Sequence, residues 1–312
     1  MELSIVISYH NEGVEFITST LSCIKNTIDI EDYEILIIDD YSTVPLKLQP
    51  TPRVQVIRHK SNKGVGAAFD TGVSLARSEN IFLMACDVRF AKKGWASQMV
   101  EEIRKYSQSL ICCSCVVLWN DNMETVDYSG NKVCTGATMS LFTPHKRHPT
   151  IVNAQWLPLL TDRDIDSFEV PCLLGAAYGV NKRWYNHVDG WRFHKQWGTL
   201  EPFISLKSWM FGGSCRCAPR IETGHIFKKR HPHGTNHTTI LHNKIMLATL
   251  LFPDVYRFIH YLGDNSSVKR ALSLVAQQKR QVDAKRIEYQ NKTVLTLKEY
   301  CHKWNINYNP PK

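Results

Sequence analysis

The chain has 312 residues, 43% of them hydrophobic and 21% charged, a balance that excludes a disordered or fibrous polymer and leaves room for a sizeable buried core. Thirty-eight Lys and Arg against 29 Asp and Glu give a formal charge of +9, which favours anionic partners without choosing among phosphates, nucleic acid and an acidic membrane face. Ten cysteines are present, but Cys23, Cys86, Cys112, Cys113, Cys115 and Cys172 lie in apolar runs where a thiol packs as a small hydrophobe. Cys215 and Cys217 form C-x-C with no second pair at zinc-site spacing. The Met-Glu-Leu start enters an apolar run without a basic leader, and no stretch reaches the roughly 18 apolar residues of a membrane span. A reducing cytoplasm is the compartment these features predict, the host's cytoplasm if the chain is viral.

In chain order, Leu3–Ser8 is a short β-branched run and Phe16–Lys25 follows at helical spacing. Tyr33–Ile38 and Val54–Arg58 predict two more strands, Gly64–Ala76 a helix, and Asn80–Ala85 a fourth strand ending at Cys86-Asp87. Trp95–Tyr106 is again helical, and Leu110–Leu118 reads as a buried strand. Strands separated by helix-length segments predict an α/β fold of βαβ units with ligands at the carboxyl ends of the strands. The polar punctuation falls there: Tyr9-His10-Asn11-Glu12, Asp39-Asp40 and Asp87. Residues 119–168 are polar and proline-containing and predict loops. Glu169–Val180 predicts a strand, Glu201–Met210 a helix stopped by Gly212-Gly213, and Asn243 to about His302 a mainly helical segment.

A carboxylate at the end of an apolar strand, as at Asp87, can either turn the chain or face a cleft and hold a cation. The surrounding stretches bear on the choice. S-I-V-I-S-Y-H-N-E, I-L-I-I-D-D-Y-S, N-K-G-V-G-A-A-F-D-T-G-V and M-A-C-D-V-R-F follow one another at Ser4, Ile35, Asn62 and Met84. The later half adds L-L-G-A-A-Y-G-V-N-K-R-W-Y, W-G-T-L-E-P-F-I-S-L-K-S-W-M-F-G-G and T-G-H-I-F-K-K. Over residues 2–256 this series resembles the GT-A glycosyltransferases, family 2 and the related polypeptide N-acetylgalactosaminyltransferases. The resemblance implies a Rossmann-like mixed sheet flanked by helices. Residues 1–118 would be the nucleotide-sugar-binding half, 119–242 the acceptor-side half, and 243–312 a basic helical extension.

The resemblance also implies roles. Asp87 and His225 are the implied metal ligands, for Mn²⁺ or Mg²⁺. Asp39 and Asp40 are the implied contacts to uracil or ribose of a UDP-sugar, with Tyr9, Asn11, Glu12 and Gly64 beside them and Lys228 on a phosphate. Asp70 stands where the family usually has Asn. Arg89 occupies the place of the second metal ligand, and a guanidinium cannot ligate a metal but can pair with phosphate. Two outcomes stay open: a reduced metal site of Asp87, His225 and the diphosphate, or a metal-free site in which Arg89 and Lys228 supply the positive charge.

Glu201, at the start of a helix after Gly198-Thr199, is the candidate general base or orienting acid, against the plainer role of a helix-start carboxylate. Trp197 can stack on a sugar or simply pack. Lys228–His242, dense in cations and histidines, predicts a lid over the donor, while His231, His233 and His237 lack the spacing of a metal site. Three functions follow. The leading expectation is glycosylation of hydroxymethylated pyrimidines in DNA, with Lys269, Arg270, Lys279, Arg280, Lys285 and Arg286 on phosphates. The alternative is a transferase acting on lipid-linked or surface glycans, with peripheral membrane contact, or on a polypeptide. A catalytically silent binding module ranks last.

Overall fold

The computed structural model describes residues 1–49, 51–118, 133–145, 149–157, 164–227 and 236–311. Its first half is β1 (Leu3–Tyr9), α1 (Val14–Thr27), β2 (Tyr33–Asp39), β3 (Val54–Arg58), α2 (Val65–Leu75), β4 (Asn80–Ala85), β5 (Val88–Phe90), α3 (Trp95–Lys105) and β6 (Ser109–Leu118). β1 and β2 are buried at every position, as unbroken Ile, Val and Leu runs are when helices cover both faces of a sheet. Leu3, Ile5 and Ile7 pack with Ile17 of α1 and Met99 of α3, while Val6, between them, packs with Phe69 and Val73 of α2.

The sheet is mixed. β1 pairs in parallel with β2 on one side and β4 on the other, and β3 extends the β2 side. Successive strands therefore run outward from β1 in one direction, then return to its other flank. That reversal is a topological switch point, and the carboxyl ends of β1, β2 and β4 open there into one cleft.

The segment that composition assigns to loops holds more order. It contains β7 (Val133–Cys134), an antiparallel hairpin of β8 (Ala137–Thr143) and β9 (Thr150–Trp156), and β10 (Phe168–Glu169). β8 alternates buried and partly exposed residues over most of its length, a half-covered strand whose pattern the flanking Pro144 and Pro149 obscure. The strand expected over 169–180 is two pieces. β10 ends at Glu169, and β11 (Ala177–Asn181) inserts antiparallel between β4 and β6.

After α4 (Lys182–His187) and α5 (Leu200–Met210) comes β12 (Ser214–Ile226), which runs parallel to β6 with a register shift between Ala218 and Glu222. Beyond that shift β12 also takes β5 as an antiparallel partner. The chain closes with α6 (His237–Leu251), α7 (Val255–Leu262), α8 (Ser266–Ala276), α9 (Lys279–Lys292) and α10 (Leu297–Lys303). These helices share the main core: Phe258, Leu262, Val268, Val282, Tyr289 and Tyr300 belong to the same buried cluster as Phe69, Trp191 and Phe203. Phe258 stacks on Phe142 of the hairpin with centroids 4.7 Å apart. A shared core unfolds as one unit. Scanning calorimetry of the whole chain should show one transition; a separate early transition for the carboxyl-terminal helices would contradict this packing.

Candidate active site

The rim of the cleft is built by carboxylates that point into the protein. Sequence resemblance implies that Asp39 and Asp40 touch base or ribose; the structure turns both inward. Asp39 is fully buried and accepts hydrogen bonds from Ser42 N (2.8 Å) and Leu46 N (3.1 Å) while pairing with Arg58. Burial works to raise its carboxyl, but these donors outweigh burial and hold it below the ordinary range. Asp40 accepts from Lys63 N (2.8 Å) and Gly64 N (2.6 Å) and meets His59 Nδ1 at 2.7 Å. Each side chain therefore folds a loop, 40–46 in one case and 59–64 in the other, so both aspartates shape the rim of the cleft from within. Asn11 joins the same rim, with its N–H donating to Ser42 Oγ and its Oδ1 accepting from Thr43 N. Tyr9 lies below, buried, and its carbonyl accepts from Asp40 N at 2.8 Å; Glu12 stands half-buried at the edge.

Gly64 is needed for two reasons. Its φ of +95° lies in the left-handed region, and a Cβ there would sit 2.3 Å from the backbone of Gln196. The turn after Asp40 is thus the seat for the loop at 193–199. That loop carries Trp197, whose surface is 38% exposed.

Asp87 and His225 come together through strand pairing. β5 puts Val88 opposite His225, and Ile226 N donates to Asp87 O at 3.0 Å. Their side chains then meet with His225 Nε2 3.3 Å from Asp87 Oδ1. Burial opposes charge on both groups, yet their mutual attraction prevails: Asp87 is held below its ordinary value and His225 above its own. Glu201 of α5 also raises His225 electrostatically. One Glu201 oxygen accepts from Tyr178 OH at 2.7 Å, and burial with this carboxylate pushes the phenol well above its ordinary range. Tyr178 is a site residue that sequence reasoning missed, although it lies in the L-L-G-A-A-Y-G stretch.

Arg89 does not face the cleft. It is 1% exposed, and its guanidinium donates to Thr20 Oγ1 (2.6 Å), Val88 O (2.9 Å), Cys86 O (3.3 Å) and Phe16 O (3.4 Å). It ties β5 to α1 from behind, and direct phosphate pairing is not available to it. Asp70 is likewise structural: it accepts from Tyr185 OH (2.5 Å) and Trp191 N (3.0 Å), with burial raising its carboxyl. Lys228, His231 and His233 lie outside the described residues, and His237 opens α6.

Among the described residues no group of three or more His, Cys, Asp or Glu could hold a metal. Asp87 and His225 nonetheless present one hard oxygen and one imidazole nitrogen side by side. Such a pair fits a cation that completes its shell with phosphate oxygens or water, as Mg²⁺ does, and does not fit a closed protein cage. Arg89→Met should act on stability, because it removes the buried hydrogen bonds that tie β5 to α1, at about 3 kcal/mol in total. Its Tm should fall by roughly 5–10 °C. An unchanged Tm with weakened UDP binding would instead put the guanidinium on the phosphates.

Residues 4–146 match the family described as Glycosyl transferase family 2. Among curated proteins, Polypeptide N-acetylgalactosaminyltransferase 16 of Mus musculus is 24% identical over 296 residues, covering 90% of this chain and 51% of that protein. Polypeptide N-acetylgalactosaminyltransferase 12 of Mus musculus is 25% identical over 269 residues, with 83% and 45% covered. The chain spans about half the length of the curated relatives it matches. Solved structures that align include GalNAc-T7 with UDP, GalNAc and Mn²⁺ at a TM-score of 0.63 and 16% identity, over 90% of this chain and 57% of that one, and S. aureus TarS 1-349 in complex with UDP-GlcNAc at 0.54 and 12% identity, over 99% and 93%. Those likenesses show the fold: this chain has the GT-A fold, and its residues 4–146 match the glycosyl transferase family 2 model.

Proposed function

We propose that the chain transfers a sugar from a UDP-sugar to a hydroxyl group of a polypeptide. The observation that carries this reading is the Asp87–His225 pair, 3.3 Å apart at the carboxyl ends of the sheet. The rim of Tyr9, Asn11, Glu12 and Gly64 would seat the nucleoside, and Lys228 would meet a phosphate. Asp87 and His225 would hold a divalent cation, Mn²⁺ or Mg²⁺, which when bound neutralises charge on the departing diphosphate. Glu201, with one oxygen fixed by Tyr178, orients the acceptor hydroxyl and takes up its proton. Trp197, partly exposed, would offer an apolar face to a sugar ring.

The polypeptide acceptor draws support from the names of the relatives, and the cations that suggested DNA give it little. Lys269 pairs with Asp264, Lys279 with Asp283, and Lys285 with Asp189 and Glu288. Arg286 donates to the carbonyls of Thr249 and Phe252 at the end of α6. Charges occupied in this way make a weak phosphate-binding face. Among the described residues no helix is long and apolar enough to cross a membrane.

Radiolabelled UDP-sugars offered to a Ser/Thr peptide library and to hydroxymethylated duplex DNA decide the acceptor. The expected result is transfer to peptide that is abolished by EDTA and restored by Mn²⁺. Transfer to duplex alone would reinstate the DNA reading, and no donor turnover with any acceptor would leave a binding module. Asp87→Asn should lower kcat/KM by about 10²- to 10³-fold, the kinetic equivalent of several kcal/mol. Glu201→Gln should keep donor affinity and lower turnover by about 10²- to 10⁴-fold; wild-type turnover would remove Glu201 from the chemistry.

A further inference from the structure

Loop 193–199 has a backbone that does not stand by itself. Phe193 (φ +69°), Gln196 (+47°) and Thr199 (+66°) all lie in the left-handed region that disfavours residues with side chains, and Gly198 (+94°) lies there with them. Something outside the loop must hold it, and that support comes mainly from α6. Asn243 is fully buried and grips the loop three times: its Nδ2 donates to Lys195 O (2.8 Å) and Gly198 O (3.0 Å), and its Oδ1 accepts from Lys195 N (2.9 Å). One turn earlier, Thr239 Oγ1 donates to Gln196 Oε1 at 3.1 Å. From the other side, Val65 N donates to Gln196 O at 3.1 Å, against the glycine seat at Gly64. Trp197, partly exposed, lies in sequence between Gln196 and Gly198, which these clamps hold, and the same stretch runs on into Leu200 and Glu201 of α5.

We propose that Asn243 is a positioning residue for donor binding: it holds loop 193–199 in its left-handed form and so sets Trp197 against the sugar-nucleotide cleft. The inference rests on the donor site proposed above. Asn243 touches no part of that site and acts through the loop. Its neighbour Lys244 serves a different element, donating to Thr150 Oγ1 (2.8 Å) and Asn153 Oδ1 (2.5 Å) on β9, so a change there leaves the loop clamped. Asn243 and Lys244 therefore divide the support of two walls between adjacent side chains.

The test reads the loop and the ligand separately. Trypsin cleavage after Lys195 and amide exchange at Lys195 N report the loop without reference to any activity. In Asn243→Ala both should accelerate by about 10- to 100-fold, the equivalent of losing two or three hydrogen bonds. UDP-sugar Kd, measured by calorimetry, should rise by about tenfold. In a Trp197→Ala background the same Asn243→Ala change should leave Kd within about twofold, since coupled residues are not additive. Lys244→Met should leave cleavage at Lys195 at the wild-type rate. If Asn243→Ala does not fold, Thr239→Val loosens the same loop from the surface of α6 and should shift cleavage and Kd in the same direction by a smaller factor. Unchanged cleavage and exchange at Lys195 in the loosened variants would overturn the inference, as would an equal loss of affinity with Trp197 absent. A wild type that binds no UDP-sugar while the loop still opens in Asn243→Ala would sink the proposed function and leave the clamp established.

Discussion

The structure turns on the pairing of β5 with the far half of β12. β5 is three residues long, and it exists because β12 shifts register at Ala218–Glu222 and then offers it an edge. That contact carries an acid from the end of β4 and an imidazole from a distant strand to within 3.3 Å of each other. Holding two ionisable groups in a largely buried place is unfavourable unless they answer each other, and Asp87 and His225 do so electrostatically. A buried ion pair is poor evidence for stability, and here it sits at the mouth of the sheet where a ligand would meet it.

The supports behind this pair are as specific as the pair. Arg89 ties β5 to α1 through Thr20 Oγ1 and Phe16 O, and Asp39 and Asp40 lock the two loops that frame the cleft. Tyr178, from the strand between β4 and β6, fixes Glu201. α6 and the helices after it complete the wall, since their apolar faces lie in the same core as α5 and β8. The cleft is therefore a convergence of nearly every element, which is why its residues are spread from Tyr9 to His225.

The βαβ half was legible because its strands are continuous apolar runs ending in polar residues, and the stretches around Asp87, His225 and Glu201 singled those positions out as candidates. The errors have physical causes. Arg89 sits two residues from Asp87, and period-two reasoning would put both on one face of a strand. Cys86 and Asp87 form a turn, however, so the alternation restarts at Val88 and the guanidinium points back to α1. Asp39 and Asp40 were placed correctly at a strand end, but sequence carries no sign of the amides of Ser42, Lys63 and Gly64 that capture them. β12 escaped notice because Arg, Pro, Glu and Gly interrupt its apolar pattern. Asn243 was read only as the start of a helical segment, since its importance lies in a loop almost fifty residues away in sequence.

The central claim is that Asp87 and His225 together hold the cation on which a UDP diphosphate rests. Pulsed electron paramagnetic resonance of Mn²⁺ with the protein and UDP reads it directly, because a ligating imidazole couples its nitrogen to the metal. The account predicts a nitrogen coupling in the wild-type ternary complex that disappears in His225→Gln. UDP bound with Mn²⁺ but without any nitrogen coupling, or bound equally well after the metal is removed, would contradict it.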